Sequence, residues 1–310
     1  MKILCVGQLV ADILVAHVDY TKMNEDTQRV NEIVVKNGGD CMNVAVGLAK
    51  LGTSVGFVGK AGNDIFGEYL CSIFEENGVD TRGLKVIDGL QTSSVISLVN
   101  QQAQRVFLYN GGANDTFRFS DIDLGLLDEY NHIHVGGTFL LPQFDGDGCA
   151  KLFSLAKEKG KTTSLDVTWD TTNRWLSVLE PCLPHLDLFM PSESEATLIT
   201  GFSEPEKMAD FLIKRGVGSA VIKLGEKGAY INSGGETSYQ SAYTVDAVVD
   251  TTGAGDSFVA GYLSRYIKGC APRECAAFAA AVASHCIRRI GTTDGIPSEA
   301  AILDFINNNK

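Results

Sequence analysis

The chain has no apolar run long enough to cross a bilayer, no Cys-x-x-Cys pair and no excess of basic charge. Each absence removes a class of function. A spanning helix needs about 20 apolar residues in a row, so no membrane partner is expected. The short apolar run Ile3–Val6 reads as a buried first strand rather than a secretion signal, which makes a cytoplasmic location the expectation. The eight cysteines, at positions 5, 41, 71, 149, 182, 270, 275 and 286, are scattered, which suggests neither a disulfide framework nor a zinc site. Lysine and arginine total 26 against 38 aspartates and glutamates, and the net charge of −12 offers no basic footprint for a nucleic acid. Two familiar phosphate-binding loops are missing as well. Gly160-Lys161-Thr162 lacks the glycine five residues upstream that a Walker A loop requires, and no Gly-x-Gly-x-x-Gly occurs, which disfavours a dinucleotide-dependent dehydrogenase.

What is present is an ordinary globular composition, 45% hydrophobic and 21% charged with a mean hydropathy of +0.05. Its 310 residues suit one large α/β domain, 1–310, carrying an insertion. Apolar runs of strand type at Lys2–Val6, Ser54–Val58, His132–Val135, Thr162–Leu165, Leu186–Met190 and Ala220–Leu224 alternate with helical spacing from Asp64, Asp145, Ser192, Glu204 and over Arg273–Ile290. This rhythm predicts an α/β fold with a doubly wound, mostly parallel sheet flanked by helices. Four further runs, Ile13–Val18, Ile33–Val35, Ser93–Val99 and Val106–Tyr109, are rich in β-branched and aromatic residues. They read as a small separate sheet inserted from about 13–36 and 92–112. Ile13-Leu14-Val15-Ala16 and Ile33-Val34-Val35 are apolar at consecutive positions, so both faces want cover, which a partner subunit would supply. His132 and His134 share one face of a strand with no third ligand nearby, which favours satisfied core histidines over a metal site.

The chemistry is concentrated in Asp250-Thr251-Thr252-Gly253-Ala254-Gly255-Asp256-Ser257-Phe258, where a small glycine-rich turn opens into an apolar helix. Gly253, Ala254 and Gly255 leave the backbone N–H groups open to close approach, and the helix start adds unpaired donors and a positive dipole end. A phosphate fits such a place. Asp256 then stands where an anion should bind, so it is either a helix cap or a base for an attacking hydroxyl. A second glycine-rich helix entry, Gly38-Gly39-Asp40-Cys41-Met42-Asn43-Val44-Ala45, lets the backbone approach a small polyol, and Asn43 offers both a donor and an acceptor. Asp12 and Asp166 follow strands at their carboxyl ends, where open α/β sheets place ligands. Ser192 has a helix-cap reading, and Arg174 follows Asp166 in the next turn.

The two glycine-rich stretches, in this order, resemble the two signatures of the phosphofructokinase B, or ribokinase-like, family of carbohydrate kinases. The resemblance extends from Gly7 to the Gly291–Gly295 loop. It implies a ribokinase-like fold whose small sheet is a lid over the sugar. It also implies an ATP-dependent kinase that phosphorylates a hydroxymethyl group of a small sugar or sugar-like polyol, with Asp256 as base and Gly253, Ala254 and Gly255 as the anion hole. Asp12, Gly38, Gly39 and Asn43 would hold the sugar, with Asp166 a further candidate. Lys223, Gly225 and Gly228 would border the nucleotide together with Gly253 and Gly255. Pro191-Ser192-Glu193-Ser194-Glu195 resembles the magnesium-linked Asn-x-x-Glu motif, with Ser192 in place of Asn and Glu195 in the Mg2+ shell. Asp250 and Thr252, beside the Gly291–Gly295 loop, are candidates for a K+ site. A homodimer through the lid is expected. A nucleoside kinase of the same family and a non-catalytic sugar-binding sensor stand as alternatives.

Overall fold

Strand β1 (Lys2–Gly7) is apolar on both faces, and both are covered. Leu4 and Val6 enter the core on one side of the sheet, Ile3 and Cys5 the core on the other. The computed structural model describes residues 1–102 and 104–309. After β1 come β2 (Val10–Ala16), β3 (Glu32–Gly38), β4 (Ser54–Gly62), β5 (Asp80–Ile87), β6 (Ser94–Val99) and β7 (Arg105–Asn110). The chain continues with β8 (His132–Thr138), β9 (Thr162–Val167), β10 (Leu188–Phe189), β11 (Ser219–Lys223), β12 (Ala229–Ser233) and β13 (Glu236–Gln240). Nine strands form one sheet in the order β13-β12-β11-β10-β9-β8-β1-β4-β5. It is parallel from β11 to β5 and antiparallel at β12 and β13.

The helices are α1 (Asp40–Lys50), α2 (Ile65–Glu76), α3 (Asp147–Glu158), α4 (Leu176–Leu179), α5 (Glu193–Thr200), α6 (Pro205–Ile213), α7 (Ala254–Tyr266), α8 (Pro272–Cys286) and α9 (Glu299–Asn308). Helices α3, α4, α5 and α6 pack into the core with Leu4 and Val6, while α1, α2, α7 and α8 pack into the core with Ile3 and Cys5. This is the doubly wound α/β sheet that the alternating pattern predicts. No described helix is long and apolar enough to cross a membrane. The histidines of β8 are core residues: both ring nitrogens of His132 hydrogen-bond to the hydroxyls of Thr162 and Ser164, at 2.8 and 2.7 Å, and His134 Nδ1 bonds to Ser164 at 2.8 Å. Burial lowers both, His132 to about 3, so they stay neutral.

The remaining strands make the small separate sheet, in the order β3-β2-β6-β7. The pairs β2–β3 and β6–β7 are antiparallel and β2–β6 is parallel. Ala103, within the 92–112 stretch, lies outside the described residues. The side of this sheet away from the small cleft is left open, with Ile33 63%, Leu108 55% and Val106 43% exposed. The strands differ from the expected spans: β2 starts earlier, at Val10, because Val10 pairs with Gly38 and carries the lid down to the mouth of the main sheet. The strand expected over Leu186–Met190 is only Leu188–Phe189, since a tight helical turn over Leu183–His185 delays its start. Helix α8 stops at Cys286 rather than Ile290. The Ile287 carbonyl accepts hydrogen bonds from the backbone N–H groups of Val249 and Asp250, which turns the chain out of the helix toward the glycine-rich stretch.

Candidate active site

Helix α7 begins at a strained point. Its cap, Gly253, has φ +75°, and a Cβ there would collide with Thr292, so only glycine fits. The opened N-terminus is the partition between two clefts. One, of about 690 Å³, has Lys223, Gly225, Gly228, Thr251, Ala254 and Gly255 at its polar end and Tyr243, Val245, Phe258, Ala280 and Ile287 among its apolar walls. The other, of about 370 Å³, is lined by Gln8, Asp12, Gly39, Asp40, Asn43 and Asp256, with Phe107 and Tyr109 of the lid. Gly255 lines both.

Asp256 stands in the first turn of α7, and its Oδ2 accepts a hydrogen bond from Asn43 Nδ2 at 2.7 Å. Asn43 is itself fixed, because its Oδ1 accepts from Asn37 Nδ2 at 2.9 Å and lies 2.9 Å from the Thr292 hydroxyl. Through these bonds β3, α1, α7 and the Gly291–Gly295 loop are tied together. Asn43 was expected on the sugar; the structure spends its carbonyl and one amide proton inside this network, where it orients the base candidate. Burial raises Asp256 above the usual carboxylate range, with Glu195 adding and with Asn43 and Lys223 opposing.

Asp12 packs so tightly on β3 that a Cβ at Gly38 would strike its carboxylate, which is the reason for glycine at that position. Burial pushes Asp12 up to about 7, with Asp256 contributing. Asp40, in the first turn of α1, is likewise raised, first by burial and then by Asp256, Asp166 and Glu195. Sequence reasoning passed over Asp40 and Gln8. The signal for Asp40 was its place at a glycine-led helix entry; nothing local marks Gln8.

Lys223, at the end of β11, carries the one ammonium among these carboxylates, and its Nζ lies 2.8 Å from both oxygens of Asp166. Burial works to lower it, but Asp166, Glu195 and Asp256 hold it above its ordinary value. Asp166 was expected to hold sugar. It is instead 1% exposed with both oxygens engaged by Lys223, so it anchors the cation that faces the larger cleft. Glu195 closes a capping box on α5: Ser192 N–H donates to its Oε2 at 2.7 Å, and its own N–H donates to Ser192 Oγ at 3.3 Å. The replacement of Asn by Ser thus keeps the carboxylate oriented. Among the described residues no three His, Cys, Asp or Glu cluster to hold a metal ion. That donor set suits a magnesium ion carried largely by water and phosphate oxygens, with Glu195 as the protein's contribution.

Asp250 accepts from Thr252 N–H at 3.0 Å, Thr252 Oγ1 at 2.7 Å, Arg105 Nη2 at 3.3 Å and Gly291 N–H at 3.2 Å. Burial works to raise it, yet these donors bring it below the usual range. Arg105, a residue of β7 that no motif marks, also donates to Thr252 Oγ1 at 3.0 Å and so ties the lid to the glycine-rich turn.

A family model described as pfkB family carbohydrate kinase matches residues 1–299. An uncharacterized sugar kinase of Archaeoglobus fulgidus is 32% identical over 254 residues, covering 81% of this chain and 98% of that protein. The 2-dehydro-3-deoxygluconokinase of Bacillus subtilis is 29% identical, covering 86% of this chain and 85% of its own. The structure of Arabidopsis thaliana ribokinase complexed with ribose and ATP superimposes with a TM-score of 0.85 at 26% identity, covering 98% of each chain. With two clefts meeting at a glycine-capped helix and a family match over almost its whole length, the chain belongs to the pfkB family of carbohydrate kinases.

Proposed function

We propose that this kinase transfers the γ-phosphoryl group of ATP to a hydroxymethyl group of a small sugar or sugar-like polyol, with Asp256 as general base. The observation that carries this reading is the N-terminus of α7, which faces a large, mostly apolar cleft on one side and a small polar one on the other. A nucleobase suits the first and a polyol the second. The phosphoryl group then passes at Gly253–Gly255, where open backbone donors meet developing negative charge.

Within this reading Asp256 Oδ2 is held by Asn43, which leaves Oδ1, unpartnered among the described residues, to accept the sugar hydroxyl's proton. Its raised pKa improves it as a base near neutral pH. Lys223 neutralises phosphate charge, and Glu195 would hold a magnesium ion through water, which when bound would supply further neutralisation of the phosphate charge. The sugar lies against Asp12, Gly38, Gly39 and the lid. Asp256→Asn keeps the shape and removes the base, so kcat should drop by about 10²–10⁴ with ATP and sugar affinities little changed. Turnover within a few-fold of the parent enzyme would return Asp256 to the status of a helix cap.

A nucleoside kinase is the second reading, favoured by a recess of about 190 Å³ that shares Asp12, Val95, Phe107 and Thr252 with the sugar cleft and adds both apolar walls, among them Leu14, Val34 and Ile290, and the charged Glu32, Arg105 and Asp250. ATP consumption against pentoses, hexoses and nucleosides separates the two. The cytoplasmic homodimer belongs to the proposal as well: Ile33, Val106 and Leu108 leave an apolar lid face that a second copy would cover. Light scattering at micromolar concentration should give twice the chain mass; a clean monomer would remove the dimer.

A further inference from the structure

The small cleft is built from hydrogen-bond acceptors. Asp12, Asp40 and Asp256 line it, and its described lining residues include no lysine, arginine or histidine. Gln8 lines it too, and although this residue is only 2% exposed its carboxamide oxygen has no hydrogen-bond partner. A buried acceptor with no protein partner beside a cleft calls for a donor, which a ligand hydroxyl can supply.

The cations around the cleft are all committed elsewhere. Lys223 holds Asp166 and faces the larger cleft. Arg105 is bound to Asp250 and Thr252, Lys36 to Asp294, and Lys50 to the Thr293 carbonyl. Arg174, which sequence spacing had set beside Asp166, donates to Thr172 and lies on the exposed surface. A sugar hydroxyl entering this cleft can donate to Asp12, Asp40 or Gln8. A carboxylate or phosphate on the sugar would meet three carboxyl groups, and Lys223, the cation near enough to act on Asp40 and Asp256, is already held by Asp166.

Resting on the kinase reading above, we propose that the cleft selects a sugar without an anionic group and rejects sugar acids and sugar phosphates, with Asp40 as the specificity-determining residue. Asp40 suits the role because it stands at the start of α1, faces the cleft, and accepts no hydrogen bond from any described residue that would neutralise it. The inward pressure on these carboxyls is already high: Asp12 and Asp40 are both raised by burial and by their neighbour Asp256. A further negative charge beside them would raise them more, so its entry costs either repulsion or the uptake of a proton. This separates the present chain from a kinase named for a dehydro-deoxy-gluconate.

The test is a panel at pH 7.5 with ATP and magnesium. D-ribose, D-fructose and a nucleoside are paired with 2-dehydro-3-deoxy-D-gluconate, D-gluconate and D-fructose 6-phosphate. The best uncharged sugar should exceed the best anionic one by at least about 10²-fold in kcat/KM, the size expected for unit-charge repulsion across a partly wet cleft. An anionic sugar within tenfold of the best uncharged one overturns the proposal. Asp40→Asn should shrink the ratio by about tenfold, mainly by improving the anionic sugars; an unchanged ratio removes Asp40 from the role. If that variant fails to fold, Asp12→Asn makes the same comparison. If no sugar is turned over while ATP still raises Tm, the kinase reading fails, and the charge preference is decided by thermal shift with the sugars alone. A rise with uncharged sugars only supports it, and a larger rise with an anionic sugar, or none with any uncharged one, overturns it.

Discussion

The two clefts share the N-terminus of α7 but are assembled in different ways. The walls of the larger one come almost entirely from residues 223–287, so a single run of chain from β11 to α8 supplies them. The smaller one collects residues from Gln8 to Thr292, and the network Asn37, Asn43, Asp256 and Thr292 has to bring three distant segments into register. On the proposed reading the nucleotide side is a generic apolar slot, and discrimination falls where long-range contacts set the geometry. The charge pattern follows the same division. On the larger cleft's side a buried carboxylate is ion-paired, Asp166 with Lys223; on the smaller cleft's side Asp12 and Asp40 make no ion pair among the described residues, and Lys223 offsets the burial of Asp40 only in part.

The largest test of that division is Lys223→Met. Removing one partner of a buried pair leaves Asp166 uncompensated, which costs about 3 kcal/mol or more, and takes away the cation facing the larger cleft, proposed to meet the phosphates. Tm should drop by several degrees, KM for ATP should rise about tenfold or more, and binding of the sugar alone should change little. A variant as stable as the parent, with unaltered KM for ATP, would show that the pair holds neither fold nor nucleotide.

The sequence carried the shared element well and the smaller cleft poorly. Gly253–Asp256 and Gly38–Asn43 could be recognised because their function is local: a helix start needs glycine where a side chain would collide. The ion pair of Asp166 is not legible in the sequence, because only the tertiary structure shows that β11 delivers Lys223 to it. Arg105 is hidden for the same reason, since its partners Asp250 and Thr252 lie far along the chain, and nothing local marks Gln8. Helix α8 was read too long because its end is set by hydrogen bonds from Val249 and Asp250 rather than by a helix-breaking residue nearby. The alternation of buried strands and amphipathic helices was sufficient for the main sheet because that pattern is repeated over the whole chain.

A smaller effect is expected at the partition itself. Asp250 and Thr252 face both the lid, through Arg105, and the loop at Gly291, and we propose that a potassium ion adjoining them orders the glycine-rich turn. Exchange of potassium for a bulky organic cation at constant ionic strength should lower kcat several-fold, leaving Tm without nucleotide nearly constant. Equal rates in the two salts would remove the ion from the mechanism.

The smallest effect has the opposite sign to that of Lys223→Met, which makes it the sharper test of the contrast. Asp12 is shifted from 3.8 to about 7, by burial first and by Asp256 second. Between those values the folded chain binds a proton that the unfolded chain releases, so the contribution of Asp12 to stability falls as pH rises through that window. At pH 8 the folded state carries the whole cost of a buried, unpaired carboxylate, whereas below pH 4 it carries none. Asp12→Asn removes the charge and keeps the shape. Its Tm should therefore exceed that of the parent by about 2 °C at pH 8, with the advantage vanishing toward pH 4. Sugar affinity should fall in the same variant, because the carboxylate that burdens the fold is the acceptor that the sugar hydroxyl needs. A variant less stable than the parent at pH 8 would mean that Asp12 is held by structure, as Asp166 is, and that the two clefts do not differ in the way their charges are balanced.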